Sequence, residues 1–391
     1  MSIQELTLDQ LGTVSRGRSR HRPRNAAFLY GGVYPFVQTG DIKRAGLYLS
    51  EFEQTYSEEG LAQSKLWPVG TLCITIAANI AETSILDIEA CFPDSVIGFN
   101  AHRDKADTRF VKYLFDDALK VRFRSFTQGA AQDNLSQEKL LSIKFPVPEP
   151  IVQERIADIL SAYDDLIENN RKRIVLLEEA ARLLYREWFV RFRFPGHEHV
   201  KITDGLPEGW GWKSLIEIAE VVMGQSPKSV YYNEIGEGLP FHQGVTGYGQ
   251  RFLTDRIYSS TVTKVAEAGD ILVSVRAPVG RINITRNEIV VGRGLAAIRS
   301  RTARQSYLFY ALKNHFYVED IIGSGSIYAA TNKKELESQV LIGPTSRLLK
   351  EFELQASAID EQILCLTNQN EKLVRARDLL LPRLMNGEIA V

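Results

Sequence analysis

The stretch SAYDDLI at residues 161–167 returns as SAIDEQI at 357–363, and the match does not stop at the heptad. Walking outward, LDQLGTVSRG (8–17) pairs with LIEIAEVVMG (215–224) and YPFVQTG (34–40) with LPFHQGV (239–245). GTLCITIAANI (70–80) pairs with GDILVSVRAPV (269–279), and NLSQEKLLSIKFPVP (134–148) with NKKELESQVLIGP (332–344). The offset drifts from 207 to 196, as small insertions and deletions in loops produce. A duplication constrains a fold more tightly than any local motif, because whatever the first copy folds into the second must fold into as well. Two copies of one unit account for the 391 residues, a length suited to two or so domains that each bury a core.

Each copy has two parts. The first mixes short strands and helices around Gly-rich turns; the alternating apolar residues of 70–80 and 269–279 read as strands entered from a turn. Asn134 and Asn332 stand where each would cap a short helix. The second part is one long helix. In the first copy it follows the prolines of FPVPEP (145–150) and runs to about Phe189. Ile156, Leu160, Tyr163, Ile167, Ile174, Leu177, Ala181, Leu184 and Trp188 recur along it at alternating steps of three and four, interrupted by Asn170. In the second copy Phe352, Ala356, Ile359, Ile363, Leu366, Leu373, Leu380 and Leu384 repeat the pattern, interrupted by Asn370.

A single helix cannot hide such a stripe, so the two are expected to pack against each other. Antiparallel packing puts one globular part at each end of a rod of roughly 55 Å. A buried Asn is costly without a hydrogen-bonding partner, which sets Asn170 opposite Asn370. That register pairs Ile167 with Leu373, Ile174 with Leu366, Leu177 with Ile363, Ala181 with Ile359, Leu160 with Leu380 and Trp188 with Phe352. It also puts Tyr163 against Arg377, where a guanidinium can stack on the ring. The expected class is α+β: two similar mixed α/β domains separated by two long, antiparallel, coiled-coil-like helices, with a pseudo-two-fold internal repeat. The divisions fall at 1–148, 149–193 (central helix), 194–345 (linker and second domain) and 346–391 (C-terminal helix).

No catalytic constellation emerges from the chain. It lacks G-x-x-x-x-G-K-[ST], the G-x-S-x-G elbow and the [DNS]-P-P-[FYW] tetrapeptide of amino-methyltransferases. VVGRG (290–294) reads as a turn, and Pro93-Asp94 is not followed by the Asp-x-Lys or Glu-x-Lys of a nuclease. Asp116-Asp117 and Asp164-Asp165 are adjacent and so point to different faces, the second pair on an exposed helix side. His197-Glu198-His199 lacks a third ligand cluster, and Cys73, Cys91 and Cys365 form no disulfide framework or zinc knuckle. No apolar run approaches the ~18 residues of a membrane span, and the opening MSIQELTLDQ carries acids rather than the basic start of a signal peptide. The expected setting is the cytoplasm. The net charge of −1 hides two local concentrations. RGRSRHRPR (16–24) holds five arginines and no acid, and residues 271–304 hold seven arginines against Glu288 alone. Local stripes of this kind are what attract a polyanion.

Several of these segments resemble the DNA-specificity subunit of type I restriction–modification enzymes. PEPIVQERIADILSAYDDLIENNRKRIVLLEEAARLLYREWFVRFRFPG (148–196) is similar to that family's central helix. LPEGW (206–210) is similar to the start of its second recognition domain, and LLLPRLMNGEI (379–389) to its C-terminal signature. YPFVQTGDI (34–42) resembles the strand and turn that open its first recognition domain. The second copy departs in carrying His242-Gln243-Gly244 where the first has Val37-Gln38-Thr39, and in a shorter proline run at Pro344. The resemblance spans nearly the whole chain. It implies two target-recognition domains, each reading half of a bipartite asymmetric site in double-stranded DNA, and a helix pair that docks two methyltransferase subunits and, in the full complex, the restriction/translocase subunits. S-adenosylmethionine and ATP/Mg belong to those partners; this chain is expected to bind no cofactor, hold no metal, touch no membrane and catalyse nothing itself. Expected DNA contacts in the first domain are Arg18, Arg20, Arg22, Arg24, Gln38, Thr39, Gln132 and Asn134. In the second they are Lys228, His242, Gln243, Arg251, Arg276, Arg281, Arg293, Tyr328 and Asn332. Two other readings compete. A stand-alone methyltransferase or nuclease would modify or cut DNA alone, and a coiled-coil scaffold with protein-binding domains would bind DNA with little salt dependence.

Overall fold

Thr7 and Ser214 open the two copies alike. Each caps a one-turn helix, Leu8–Leu11 or Leu215–Ile218, through a capping box completed by Gln10 or Glu217. A strand follows at once, Gly12–Arg16 in one copy and Ala219–Met223 in the other. The computed structural model describes residues 3–127, 136–316 and 330–391. It divides into two units, Met1–Arg173 with Leu366–Val391, and Ile174–Cys365. The division falls inside both long helices, so each unit holds one globular part and a stretch of each helix. Among the described residues, no helix is long and apolar enough to cross a membrane.

In the first unit one sheet runs in the order Gly12–Arg16, Val96–Ala101, Leu72–Thr75, Thr83–Leu86, Tyr48–Leu49. A second runs Gln54–Tyr56, Tyr30–Phe36, Ala90–Cys91, Leu66–Trp67. The second unit repeats the plan with Ala219–Met223, Leu295–Ser300, Ile271–Ser274, Ile282–Ile284 in one sheet. Its other sheet runs Tyr232–Asn233, Tyr258–Ser259, Leu239–His242, Ile289–Val291, Val265–Ala266. The registers correspond: Val14 pairs with Phe99 as Val221 pairs with Ile298, and the parallel pairs Phe36–Cys91 and Phe241–Val290 join matching strands. Phe110, Tyr113 and Phe115 of the helix Thr108–Thr127 share a core with Ile74, Ile97 and Phe99. Tyr307–Leu312 of the helix Gln305–Phe316 does the same with Ile271, Val273 and Ile298. A pair of strands, Ile3–Leu6 with Phe145–Pro148 or Gly211–Ser214 with Val340–Gly343, then delivers each chain to its long helix.

The central helix spans Pro150–Tyr185 and ends in a π turn, Arg186–Val190; the C-terminal helix spans Ser346–Met385 with Pro382 inside its last turns. Within each unit they run antiparallel. In the first unit Asn170 Nδ2 donates to Asn370 Oδ1 at 3.0 Å, and Asn370 Nδ2 donates to the Ile167 carbonyl at 3.2 Å. Ile156 and Leu160 share a core there with Leu380 and Leu384. In the second unit the Trp188 and Phe352 rings lie 5.8 Å apart, and Ala181, Ala356 and Ile359 share their core. Ile174, Leu177, Leu184 and Leu373 are half-buried, whereas Ile363 and Leu366 are buried.

Three expectations require correction. Asp164 is buried rather than exposed: it accepts the Tyr113 hydroxyl at 2.5 Å and an ion pair from Arg377. Arg377 therefore turns to that carboxylate, and to Asp378 at 2.8 Å, instead of stacking on Tyr163, because a buried charge demands its partner first. The helix Gln137–Ser142 is capped by Ser136, while Asn134 lies outside the described residues. Asn332 caps Lys333–Glu337 in the second copy, accepting from Glu335 N at 3.0 Å.

Candidate nucleic-acid interface

Three loops converge in each unit, and backbone hydrogen bonds fix them in the same way. Leaving its first strand, the chain donates from Gly17 N to Val96 O and from Arg18 N to Phe92 O, at 2.9 and 3.1 Å. The second unit repeats this with Gly224 N to Leu295 O and Gln225 N to Val291 O, at 2.9 and 2.8 Å. A Cβ at Gly17 would stand 2.4 Å from the Phe92 carbonyl oxygen, and one at Gly224 would stand 2.2 Å from that of Gly292, so only glycine permits the approach. A hairpin joins the same loop through Ile76 N to Ser95 O (3.0 Å) or Val275 N to Gly294 O (2.9 Å). Its tip is clamped by one hydroxyl. Thr75 accepts from Glu82 N at 2.9 Å and donates to the Asn79 carbonyl; Ser274 accepts from Arg281 N at 2.9 Å and donates to the Pro278 carbonyl at 2.5 Å. The strands Tyr30–Phe36 and Leu239–His242, which lead into Gln38 and Gln243, reach this frame through Val37 N to Cys91 O and Gly292 N to His242 O, both 2.8 Å.

The frame is shared, but its charges are not. Ala77, Glu82 and Asp94 of the first unit stand where the second has Arg276, Arg281 and Arg293. Asp94 is neutralised by Arg24 at 2.8 and 2.9 Å, and its backbone carbonyl accepts from Arg16 Nη2 at 2.7 Å. Arg22 turns back onto the carbonyls of Ser19 and His21 at 2.7 and 2.8 Å. Arg18 and Arg20 are exposed, and among the described residues their side chains make no ion pair or hydrogen bond. Two cations that sequence reading missed stand near. Lys65 lies 3.6 Å over the Trp67 ring, its pKa lowered by burial and then by Arg18, and Lys43 donates to Asn79 Oδ1 at 3.1 Å. Lys65 is isolated in sequence and Lys43 is followed by Arg44 alone, so no charge run marked either.

The seven arginines of residues 271–304 separate by what they touch. Arg299 pairs with Asp270 and Glu267, both at 2.7 Å, Arg301 holds the carbonyls of Ile216 and Ala219, both at 3.1 Å, and Arg304 bonds the Ala303 carbonyl at 3.2 Å. Arg286 lies 5.8 Å over the Phe252 ring. Arg276, Arg281 and Arg293 are exposed and make no side-chain ion pair or hydrogen bond among the described residues.

Arg251 and His242 do not belong to this surface. Arg251 is buried, pairing with Glu178 at 2.8 Å and Asp360 at 2.5 Å, donating to Tyr310 Oη at 3.1 Å and lying 4.4 Å over Phe309. Asp360 also accepts the Tyr310 hydroxyl at 2.8 Å, as Asp164 accepts that of Tyr113. The guanidinium that answers Asp164 comes from Arg377 on a helix. The corresponding helical position in the second unit is Ala181, and Arg251 supplies the charge from a loop. His242 is buried, its Nε2 2.8 Å from Asp255 Oδ1. Of the remaining expected contacts, Lys228 and Gln243 are exposed, and Gln38 donates its side-chain amide to Gln54 Oε1 at 2.6 Å. Thr39 is half-buried at the start of the helix Thr39–Arg44, and the Asn332 side chain is occupied by its cap. Gln132, Asn134 and Tyr328 lie outside the described residues. Among the described residues, no group of three or more His, Cys, Asp or Glu could hold a metal ion, His197 and His199 included.

A family model for the type I restriction modification DNA specificity domain matches residues 2–179. The putative type I restriction enzyme MjaX specificity subunit of Methanocaldococcus jannaschii is 33% identical over 300 residues, covering 74% of this chain and 70% of that protein. The MjaIX specificity subunit of the same organism is 25% identical over 391 residues, covering 93% and 88%. Among solved structures, the S subunit of a type I restriction–modification system from M. genitalium shares the fold, with a TM-score of 0.65 at 16% identity over 98% of this chain and 96% of that one. The kinship reaches across both copies, and the chain belongs to the DNA-specificity subunits of type I restriction–modification enzymes.

Proposed function

We propose that each unit of this specificity subunit reads one half of a bipartite, asymmetric target in double-stranded DNA. One observation supports this above the others: a single backbone frame is built twice, and exposed arginines without internal partners rise from different loops in the two copies. A reader of two unlike half-sites needs a constant scaffold and variable contacts. A catalytic role would need converging reactive groups, and these loops offer cations and amides suited to phosphates and base edges.

The helix pair docks the methyltransferase subunits and, in the complete enzyme, the restriction/translocase subunits. Apolar side chains left outside the seam favour this reading: Ile159, Leu166 and Leu379 in the first unit, and Leu176, Leu183 and Leu354 in the second. Similar helices in both units suit the same partner bound twice. S-adenosylmethionine and ATP/Mg reside in those partners, which extrude and methylate the target adenines; the assembly works in the cytoplasm, where the DNA is. Long-read mapping of modified adenines in cells that express this chain with its methyltransferase tests the reading. The expected result is one two-part motif with a fixed spacer, and methylation without sequence preference overturns it. Titration of the assembled complex at several salt concentrations separates the scaffold alternative, because each phosphate contact steepens the slope of log K on log salt by about 0.9.

A further inference from the structure

A recess of about 100 Å3 in the second unit is lined by Gln243, Ser274, Arg276, Arg293 and the small residues Gly244 and Gly294. The loop bearing Arg293 is held tightly beside Gln243, since a Cβ at Gly294 would stand 2.2 Å from the Gln243 carbonyl oxygen. Gly244 by contrast opens on space, with nothing within 4 Å of a Cβ built there. Two arginines and a glutamine therefore line one small concavity from three separate loops, and none of their side chains makes an ion pair or hydrogen bond among the described residues.

Such a cluster could hold a backbone phosphate or a base edge, and the duplication decides between them. Both units must grip the same sugar–phosphate backbone, so a phosphate notch at this place should appear in both. A base reader should differ, because the half-sites differ. The corresponding residues of the first unit are Gln38, Thr75, Ala77 and Asp94. The amide and the clamping hydroxyl are kept, one arginine becomes a methyl group, and the other becomes a carboxylate already held by Arg24 at 2.8 Å. Scaffold residues persist and the two cations do not.

We infer that Arg276 and Arg293 read guanine in the half-site taken by the second unit, offering their forked donors to O6 and N7 in the major groove beside Gln243. The first unit makes no guanine contact at this place. The inference rests on the proposal that each unit reads one half-site.

The test uses the complex of this chain with its methyltransferase subunits, as wild type, R276K/R293K and R276A/R293A. Binding is measured against duplexes carrying every base at each position of the mapped target, and with 7-deazaguanine to remove N7. Lysine keeps the charge but not the bidentate fork. R276K/R293K should lose roughly 10–100-fold of guanine discrimination at one or two positions of a single half-site, with the other half and the salt slope unchanged. Wild type should lose affinity for 7-deazaguanine at those same positions. The inference is overturned if the lysine variant discriminates as wild type does, or if the alanine variant weakens binding to all sequences alike and flattens the salt slope, as phosphate contacts would. A wild-type complex without sequence preference would instead remove the half-site proposal beneath it.

Discussion

A guanidinium withdrawn from water must recover its lost hydration in hydrogen bonds, and Arg251 does so with Glu178 at 2.8 Å, Asp360 at 2.5 Å and Tyr310 Oη at 3.1 Å. Removing it takes the guanidinium from two largely buried carboxylates, leaving Glu178 with Lys313 at 3.4 Å and Asp360 with the Tyr310 hydroxyl. Arg251→Ala should lower the stability of the second unit by about 3–5 kcal/mol in denaturant unfolding. Arg24→Ala breaks only an exposed pair with Asp94 and should cost no more than about 1 kcal/mol. Equal losses for the two variants would contradict the burial of Arg251. The contrast also shows where the sequence falls silent. Arg251 and Arg293 both stand in polar, Gly-containing loops, and an arginine count treats them alike. What separates them is Asp360, 109 residues away from Arg251 in the chain and beside it in the fold. The basic segments were legible as composition, but which arginines remain for a ligand is a tertiary property.

At the scale of elements, the seam was legible because it is a local periodicity, and the two asparagines were legible as a pair because each interrupts that periodicity. Asp164 was not: heptad reasoning sends that carboxylate outward, and although it places Arg377 in the seam it aims the guanidinium at Tyr163 and says nothing of a Tyr113 hydroxyl waiting inside. The Asn170–Asn370 bond, at 3.0 Å, offers a measurement of how much the polar pair contributes to the helix contact. Asn170→Ala leaves the Asn370 amide with its bond to the Ile167 carbonyl but without its side-chain partner, at a cost of about 1–2 kcal/mol. Asn370→Ala removes both bonds and should cost more. The double variant should cost clearly less than the two singles together, because the Asn170–Asn370 bond is lost only once. Strict additivity in a denaturant-unfolding cycle would show that the bond contributes nothing.

At the scale of the whole molecule, duplication implies modularity, and the packing states its condition. The first globular part meets its own long helix through Tyr113 to Asp164 at 2.5 Å, Arg109 to Asp158 at 2.9 Å, and Gln153, whose amide donates to the carbonyls of Lys105 and Pro148 at 3.0 and 2.9 Å. None of these contacts uses Gly17, Thr75 or Gln38, the residues of the frame that carries the variable charges. Contacts to the helix and contacts to DNA can therefore change independently. Residues 1–148 should be replaceable by the counterpart from a related specificity subunit, provided that the graft keeps a tyrosine at position 113 and an arginine at position 109. Mapping of modified adenines should then show one half of the target motif exchanged for the donor's and the other half retained. A graft that meets this condition yet alters both halves would mean that the units do not read independently. A graft that lacks the tyrosine should leave Asp164 short of a donor and lower the stability of the first unit by about 1–3 kcal/mol, while the half-site read by the second unit stays as it was.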